Sequence, residues 1–401
     1  MKFAHFADLH LGSWKDSKMK ELSLKSFNEA LDRCLQLNVD FILFSGDLFD
    51  NAVPSLDILK DVTKKIKQIN DEGIKFYVIA GSHDFSPSGK TMLDVLENAG
   101  LIVNVCKGEI VNEMLKLNFT IDPKTGAKIT GMIGKKGMLD KKYYQNLNRD
   151  NLEQEQGYKI FMFHTTLTEL KPEELQMIES QPVSLLPKNF NYYAGGHIHH
   201  PVIKNFNNYG TLTYPGALFP NNFAEMEKYG QGGFYLIEND NVEWIKLNSF
   251  QHQSYVFNCH HLTAEKIEQQ CLNMNDDLKN KVVTLRFKGK LNNSKIAEIN
   301  FKLISEHFYS LGAEFVMRNT TQLSSEEFAE IKLNKRDSNN IEEEIIKEHL
   351  QQNTYFDKET ELHLVQNLLN MLNVEKNEGE TNTDFKERIS DEINELLNLK
   401  E

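Results

Sequence analysis

Five stretches of this 401-residue chain end in residues that bind metal ions or move protons. They are Asp8 and His10 in ADLHLG, Asp47 and Asp50 in GDLFD, Ser82, His83 and Asp84 in GSHD, His164 in FHTTL, and His197 and His199 in GGHIHH. Each follows an apolar run of strand length. In a parallel α/β sheet the loops past the carboxyl ends of the strands line one crevice, so all five converge if the strands are parallel. Mixed carboxylate and imidazole sites suit manganese, iron or zinc, whereas all-oxygen sites favour magnesium or calcium. The ligands are too many for one ion. Two ions need a shared carboxylate, and Asp47 is the natural bridge. A pair held about 3.5–4 Å apart activates a water, lowering its pKa toward ~7, and stabilises the in-line transition state of phosphate-ester hydrolysis. Singly, each stretch has a plainer reading: DxH is common by accident, GDxxD is weak, and His164 alone fits a satisfied core histidine. Their order and placement together are what point to a dinuclear phosphoesterase.

The elements that would position these residues follow from periodicity. Lys2–Phe6 reads as a first strand, residues 17–37 as a helix (Leu24, Phe27, Leu31, Leu35), and Val39–Ser45 as a second strand. Leu59, Val62, Ile66 and Ile69 recur at steps of three and four, a helix that closes at Gly73. Ile74–Ala80, Lys159–Phe163, Tyr192–Ala194, Thr211–Pro215 and Gly233–Ile237 read as further strands. Strands alternating with helices at this spacing predict βαβ units and a parallel sheet core, an α/β fold. From about residue 250 the pattern becomes a compact α+β unit: strand 254–258, helix 263–272, strand 282–287, helix 295–309 and strand 314–318. Beyond Asn319 the β signals stop. Ser324 and Glu327 have capping-box spacing, and helices are expected at about 341–351, 360–372 and 384–398, with 374–382 a polar linker.

Length predicts two or three domains. The chain is 40% hydrophobic and 26% charged, and no apolar run approaches the ~20 residues of a membrane span. MKFAHFADLH turns polar too early for a secretory signal, so a cytoplasmic, nucleoid-associated location is expected. The four cysteines, Cys34, Cys106, Cys259 and Cys271, form no CxxC pair and read as reduced thiols. The net charge of −13 is uneven: residues 330–401 hold 18 acids against 9 bases, leaving 40 against 36 in the rest. Such a chain lacks the basic excess of a broad non-specific DNA binder, which leaves room for a partner to supply grip.

The motifs resemble the calcineurin-like metallophosphoesterase superfamily and, more narrowly, the SbcD-type DNA double-strand-break repair nucleases, including their archaeal and eukaryotic meiotic-recombination branch. ADLHLG, GDLFD, FHTTL, GGHIHHP and the segment YPGALFPNNFAEMEKYGQGGFYLI (residues 214–237) carry the resemblance. It implies a metallophosphoesterase sandwich core at 1–250, a small α+β DNA-capping domain at 251–320, and a helical acidic tail at 321–401. It also implies a manganese-dependent 3′-5′ exonuclease and endonuclease acting on DNA ends in double-strand-break repair. Asp8, His10, Asp47 and His199 would surround one ion, and Asp47, His164 and His197 the other, with two Mn2+ per subunit, Mg2+, Fe or Zn being alternatives. His83 would protonate the leaving group or stabilise the transition state. Asp84 would lie behind the ligands, orienting His83 or a ligand histidine, and Asp50 would have a supporting role.

One departure stands out. The family's GNHD is GSHD here, so Ser82 stands where an amide oxygen ligates the second ion. A longer hydroxyl contact or an intervening water, and a weaker second site, are expected. The resemblance further implies a homodimer packed through helices at about 54–72 and 90–99, and an SMC/ABC-type ATPase partner docked on residues 321–401. Arg286, Lys288, Lys290 and Lys295 form a modest basic cluster that suits a solvated face as well as a phosphate contact. Two other functions fit the same residues: a small-molecule phosphodiesterase or phosphatase on this fold, or a catalytically weakened DNA-end-binding structural subunit.

Overall fold

The computed structural model describes residues 1–86, 89–135, 140–172, 175, 178–325, 358–372, 374 and 382–397. It divides into two units, residues 1–289 with 297–323, and residues 290–296 with 324–401. Each is taken by itself.

In β1 (Lys2–Phe6) successive side chains point to opposite faces, as strand geometry requires. Phe3 joins one buried cluster, while Ala4 and Phe6 join another. A strand buried on both faces reads as an unbroken apolar run, which is why it and its neighbours are legible in the sequence. The chain continues through α1 (Ser17–Gln36), β2 (Phe41–Ser45), α2 (Leu56–Asp71), β3 (Lys75–Ile79), α3 (Met92–Asn98), β4 (Val103–Asn104), β5 (Gly108–Val111), β6 (Met114–Leu117), β7 (Thr120–Ile121) and β8 (Lys128–Gly131). Then come α4 (Lys141–Gln145), α5 (Asp150–Glu153), β9 (Lys159–His164), β10 (Tyr192–Gly196), β11 (Val202–Asn205), β12 (Thr211–Tyr214), α6 (Phe223–Tyr229), β13 (Gly233–Glu238) and β14 (Asn241–Lys246).

Two six-stranded sheets result, ordered β14-β13-β1-β2-β3-β4 and β11-β12-β10-β9-β8-β7. Their inner strands are parallel, as expected. Antiparallel strands flank them: β13 and β14 on the first sheet, β11 and β7 on the second. The sheets pack face to face through Phe3, Phe41, Leu43, Tyr77 and Ile79 against Ile129, Ile160, Met162, Tyr192 and Ala194. Helices cover the outer face of the first sheet. In α2 the buried residues Ile58, Val62, Ile66 and Ile69 form one stripe. At about 1.5–3 kcal/mol per fully buried side chain, that stripe contributes on the order of 6–12 kcal/mol as an upper bound.

The same unit carries a three-stranded sheet, β15 (Gln251–Asn258), β16 (Lys281–Lys290) and β17 (Phe315–Ser324), with α7 (Ala264–Leu272) and α8 (Phe301–Ser310). Three expectations are corrected here. The β pattern does not stop at Asn319, because β17 runs to Ser324, so Ser324 is a strand residue; Glu327 lies outside the described residues. The helix expected from 295 begins at Phe301, where Asn300 accepts from the Leu303 amide as a cap. The helix α3 is also shorter than 90–99 and buries Leu93 and Leu96, leaving Val95 exposed.

In the second unit, α9 (Lys358–Leu372) and α10 (Asn382–Leu396) pack on each other, matching the helices expected near 360–372 and 384–398. The helix expected at 341–351 lies outside the described residues. The four cysteines are free thiols. Among the described residues, no helix is long and apolar enough to cross a membrane.

Candidate metal centre

The loops after β1 and β2 run side by side, tied by Asp8 N to the Gly46 carbonyl (3.2 Å), His10 N to that of Asp47 (3.0 Å) and Leu11 N to that of Leu48 (3.1 Å). Asp8, His10 and Asp47 all have left-handed backbone, with φ of 52°, 42° and 53°, and His197 after β10 has φ 89°. Only Asn, Asp and His visit this region with any frequency apart from glycine, and holding a residue there is costly unless its surroundings fix it. The sharp turns throw the four residues into one pocket.

Three overlapping sets form there: Asp8, His10 and His199; Asp8, Asp47 and His164; and His10, Asp50 and His83. Asp47 Oδ2 lies 3.1 Å from His164 Nε2 and 3.6 Å from His10 Nε2. Asp8 Oδ1 is 3.9 Å from both His164 Nε2 and His199 Nε2. Asp8 and Asp47 are buried. Among the described residues their ion pairs are with imidazoles alone.

Four histidines share one device. Each Nδ1 is held at an oxygen, leaving Nε2 for the pocket. His164 Nδ1 meets the Ser45 carbonyl at 2.8 Å, His83 Nδ1 the Asp50 carbonyl at 2.8 Å, His199 Nδ1 the Glu225 carboxylate at 2.9 Å and His10 Nδ1 the Asp50 carboxylate at 3.4 Å. Asp50 therefore holds two imidazoles at once, His83 through its carbonyl and His10 through its carboxylate.

The remaining expected residues take these places. His197 presents its backbone amide to both oxygens of Asp8, at 2.9 and 3.0 Å, and its ring packs edge-on to His164 with centroids 5.2 Å apart. Ser82 Oγ donates to Asp47 Oδ2 at 3.4 Å, and the His83 amide donates to Asp47 Oδ1 at 2.7 Å. Among the described residues, the hydrogen bonds of Asp84 come from backbone amides and not from a histidine. Its Oδ2 accepts from the amides of Asp47 (2.9 Å) and Gly81 (2.8 Å), so it ties backbone to backbone.

Two contributors were not singled out from sequence. Glu225, in the first turn of α6, accepts from the Asn221 amide and the Asn222 side chain while holding His199. The spacing Asn222-x-x-Glu225 is a helix-start signal that marks the carboxylate's location but not its target. Beneath the site lies His5, fully buried between the sheets, with Nδ1 2.9 Å from the Tyr192 hydroxyl and Nε2 2.9 Å from Ser45 Oγ. Because Ser45 Oγ donates to the Ala194 carbonyl (3.0 Å), it must accept from His5 Nε2–H, which fixes the tautomer.

The pocket fits cations. Buried His164 Nε2 and His10 Nε2 both face the Asp47 carboxylate, at 3.1 and 3.6 Å, and His10 Nε2 has no hydrogen-bond partner among the described residues, a costly condition for a buried polar atom. Burial disfavours the charged His164 imidazole, yet the Asp47 and Asp8 carboxylates outweigh it and raise it to about 10. Burial likewise works against ionised Asp47, but His164 and His10 hold its carboxyl far below the usual range. Two buried carboxylates calling for positive charge, flanked by imidazole nitrogens, make a candidate donor set for metal ions.

A family model described as calcineurin-like phosphoesterase matches residues 1–201. The DNA double-strand break repair protein Mre11 of Methanococcus maripaludis is 26% identical over 362 residues, covering 86% of this chain and 87% of that protein. Proteins of the same name from Methanopyrus kandleri and Methanocaldococcus jannaschii are 24% and 28% identical. Those matches cover 60% and 59% of this chain, which spans 54% and 62% of the two proteins.

Proposed function

The chain belongs to the calcineurin-like phosphoesterase family, and on that premise we propose that it is a manganese-dependent DNA nuclease, a 3′-5′ exonuclease and endonuclease acting on DNA ends in double-strand-break repair. The observation that carries the reading is the pocket in which Asp8 and Asp47 are shared among imidazoles that turn Nε2 toward them. The similarity to three archaeal proteins named for double-strand break repair supports DNA as the substrate.

In this reading Asp8, His10, Asp47 and His199 hold one ion, and Asp47, His164 and His197 hold the other, with Ser82 beside Asp47 on the second side. Bound there, two divalent ions supply Lewis acidity to a water and to the phosphate oxygens. The chain's own residues do the rest. His83 keeps Nδ1 on the Asp50 carbonyl, which leaves Nε2 for the substrate, where it would act as general acid on a leaving oxygen. The Asp50 carboxylate lies 3.7 Å from the same Nδ1 and helps to hold the ring in place. Asp84 fixes the backbone that carries both Asp47 and the GSHD loop.

The further parts of the proposal are a homodimer and an ATPase partner. Exposed Val53, Leu56 and Val95 lie on or beside α2 and α3 and support pairing of two copies there. Exposed Leu369, Leu372 and Val374, in or just past α9, support docking of residues 321–401 on a coiled-coil surface of an SMC/ABC-type ATPase.

The test is purified full-length protein with Mn2+, duplex DNA labelled at either the 3′ or the 5′ end, and a chromogenic phosphodiester, beside Asp47→Asn and His83→Ala. Cleavage progressing from the 3′ end, lost in both variants, is expected. Turnover of the small ester with no DNA cleavage, even with the ATPase partner added, would replace the nuclease by a small-molecule phosphodiesterase. DNA-end binding without any turnover would leave a structural subunit.

A further inference from the structure

Helix α6 stands between the metal centre and the three-stranded sheet, and its side chains divide by helical spacing. Residues four apart share a face. On one face Glu225 meets His199 Nδ1 at 2.9 Å, and the Tyr229 hydroxyl meets His200 Nδ1. On the opposite face Phe223 and Glu227 take hold of Arg286, which projects from β16. Glu227 receives Arg286 Nε at 2.7 Å and Nη2 at 2.6 Å, and the guanidinium lies over the Phe223 ring, 5.1 Å from its centroid. Between the two faces, Met226 is buried with Phe219, Phe250 and Val282. Arg286, expected in a basic cluster with Lys288, Lys290 and Lys295, is thus committed to an ion pair.

Two physical points give this arrangement its consequence. A seven-residue helix has no stability of its own, since isolated helices below about 12–15 residues are marginal in water. Its position is therefore set by what it is anchored to. An exposed ion pair would be a weak anchor, but this one is a two-pronged fork on a carboxylate, stacked on an aromatic ring, with side chains only 17% and 22% exposed. The anchor fixes the helix, the helix fixes Glu225, and Glu225 fixes the direction of His199 Nε2.

We propose that Arg286 is a positioning residue for the metal centre, acting through α6 and Glu225 on His199, so that the three-stranded sheet is a working part of the ion site. The proposal rests on the reading of His199 as an ion ligand. The link runs from β16 to an imidazole that also faces Asp8, and a shift of the sheet would be felt there first.

The experiment is calorimetric titration of the metal-free full-length protein with Mn2+, for wild type, Glu225→Gln, Arg286→Lys and the double variant Glu227→Gln/Arg286→Gln, with thermal midpoints in chelator alongside. The double variant avoids stranding a lone charge. Loss of a carboxylate behind a ligand histidine weakens metal binding by about 10–100-fold, so Glu225→Gln should fall in that range. One step further out, Arg286→Lys and the double variant should weaken it by about 3–10-fold, with metal-free midpoints close to wild type. Co2+ loaded in place of Mn2+ should give altered d–d bands in the same variants. Unchanged affinity and bands in both Arg286 variants overturn the proposal. So does an affinity loss seen only together with a lowered metal-free midpoint, since the arginine would then serve stability alone. Wild-type protein that binds no Mn2+ would sink the two-ion reading and this inference with it, a result distinct from binding that is indifferent to Arg286.

Discussion

Asp84 Oδ2 accepts from the amides of Asp47 and Gly81 together, at 2.9 and 2.8 Å, so one buried carboxylate splints the loops that follow β2 and β3. Removing it leaves two buried amides without partners, at about 1–3 kcal/mol each. Asp84→Ala is expected to lower the unfolding free energy of the metal-free protein by about 2–6 kcal/mol in urea, and Asp84→Asn, which keeps an oxygen, by distinctly less.

In the proposed reading His83 serves the chemistry and Asp47 the ion binding. The His83 side chain is 34% exposed and Asp47 only 3%. Loss of a general acid costs about 10²–10⁴ in rate. His83→Ala should show that fall in kcat with two ions still bound by equilibrium dialysis. Asp47→Asn should lose ion binding as well as turnover.

Ser82 donates weakly to Asp47 Oδ2 at 3.4 Å, the oxygen that also lies 3.1 Å from His164 Nε2. An asparagine there reaches further and offers an amide oxygen, a better ligand than a neutral hydroxyl. Ser82→Asn should lower the Mn2+ concentration that gives half-maximal activity. An unmoved titration curve would count against a ligand role at this position.

His5 supplies a pH dependence that lies outside the ion pocket. Burial pushes its imidazole from 6.5 down to about 3, against a smaller opposing contribution from a backbone contact at Gly195. Below pH 6.5 the unfolded chain therefore takes up a proton that the folded protein refuses. The stability this residue confers is complete above pH 6.5 and is lost as pH falls toward 3. The loss is about 2 kcal/mol by pH 5 and on the order of 4 kcal/mol at the bottom of the window. His5→Gln should unfold in urea with a flatter dependence between pH 7 and pH 5.

Gly196, the last residue of β10, lets two sheets and the His164 imidazole meet. A Cβ there would lie 1.9 Å from the Ser45 carbonyl oxygen and 2.7 Å from His164 Nδ1, the two atoms whose hydrogen bond aims His164. Gly196→Ala should destabilise by at least the ~1–3 kcal/mol of ordinary overpacking. It should also weaken Mn2+ binding, measured by calorimetry.

The strand-end carboxylates and imidazoles were legible because a strand buried on both faces leaves an apolar run, and the change to Asp, His or Ser marks where it stops. Asp8, His10, Asp47, His83, His164 and His199 could be collected that way. What holds them could not. The Ser45 and Asp50 carbonyls act through backbone, which every residue has, and Glu225 acts on a histidine 26 positions away. Asp84 stands next to His83 in the chain, and adjacency suggested a side-chain partner where the structure has amides of two loops. The edge strands β11 and β14 and the hairpin β5–β6 are partly solvated, so their patterns lack the apolar run that announced β2 and β9. Arg286 looked basic because its partner, Glu227, lies 59 positions earlier.

Positive φ at Asp8, His10, Asp47 and His197 restricts the alphabet open to the site. Beyond their donor atoms, these positions accept only side chains that tolerate left-handed backbone, with Asn and Asp the best suited after glycine. An alanine scan here would mix two losses, a polar side chain and a turn, and would overstate what the side chain does. Asparagine keeps the turn and removes the charge. Asp8→Asn and Asp47→Asn therefore read as measurements of the carboxylates, whereas Asp8→Ala and Asp47→Ala would report in part on the loops that carry them.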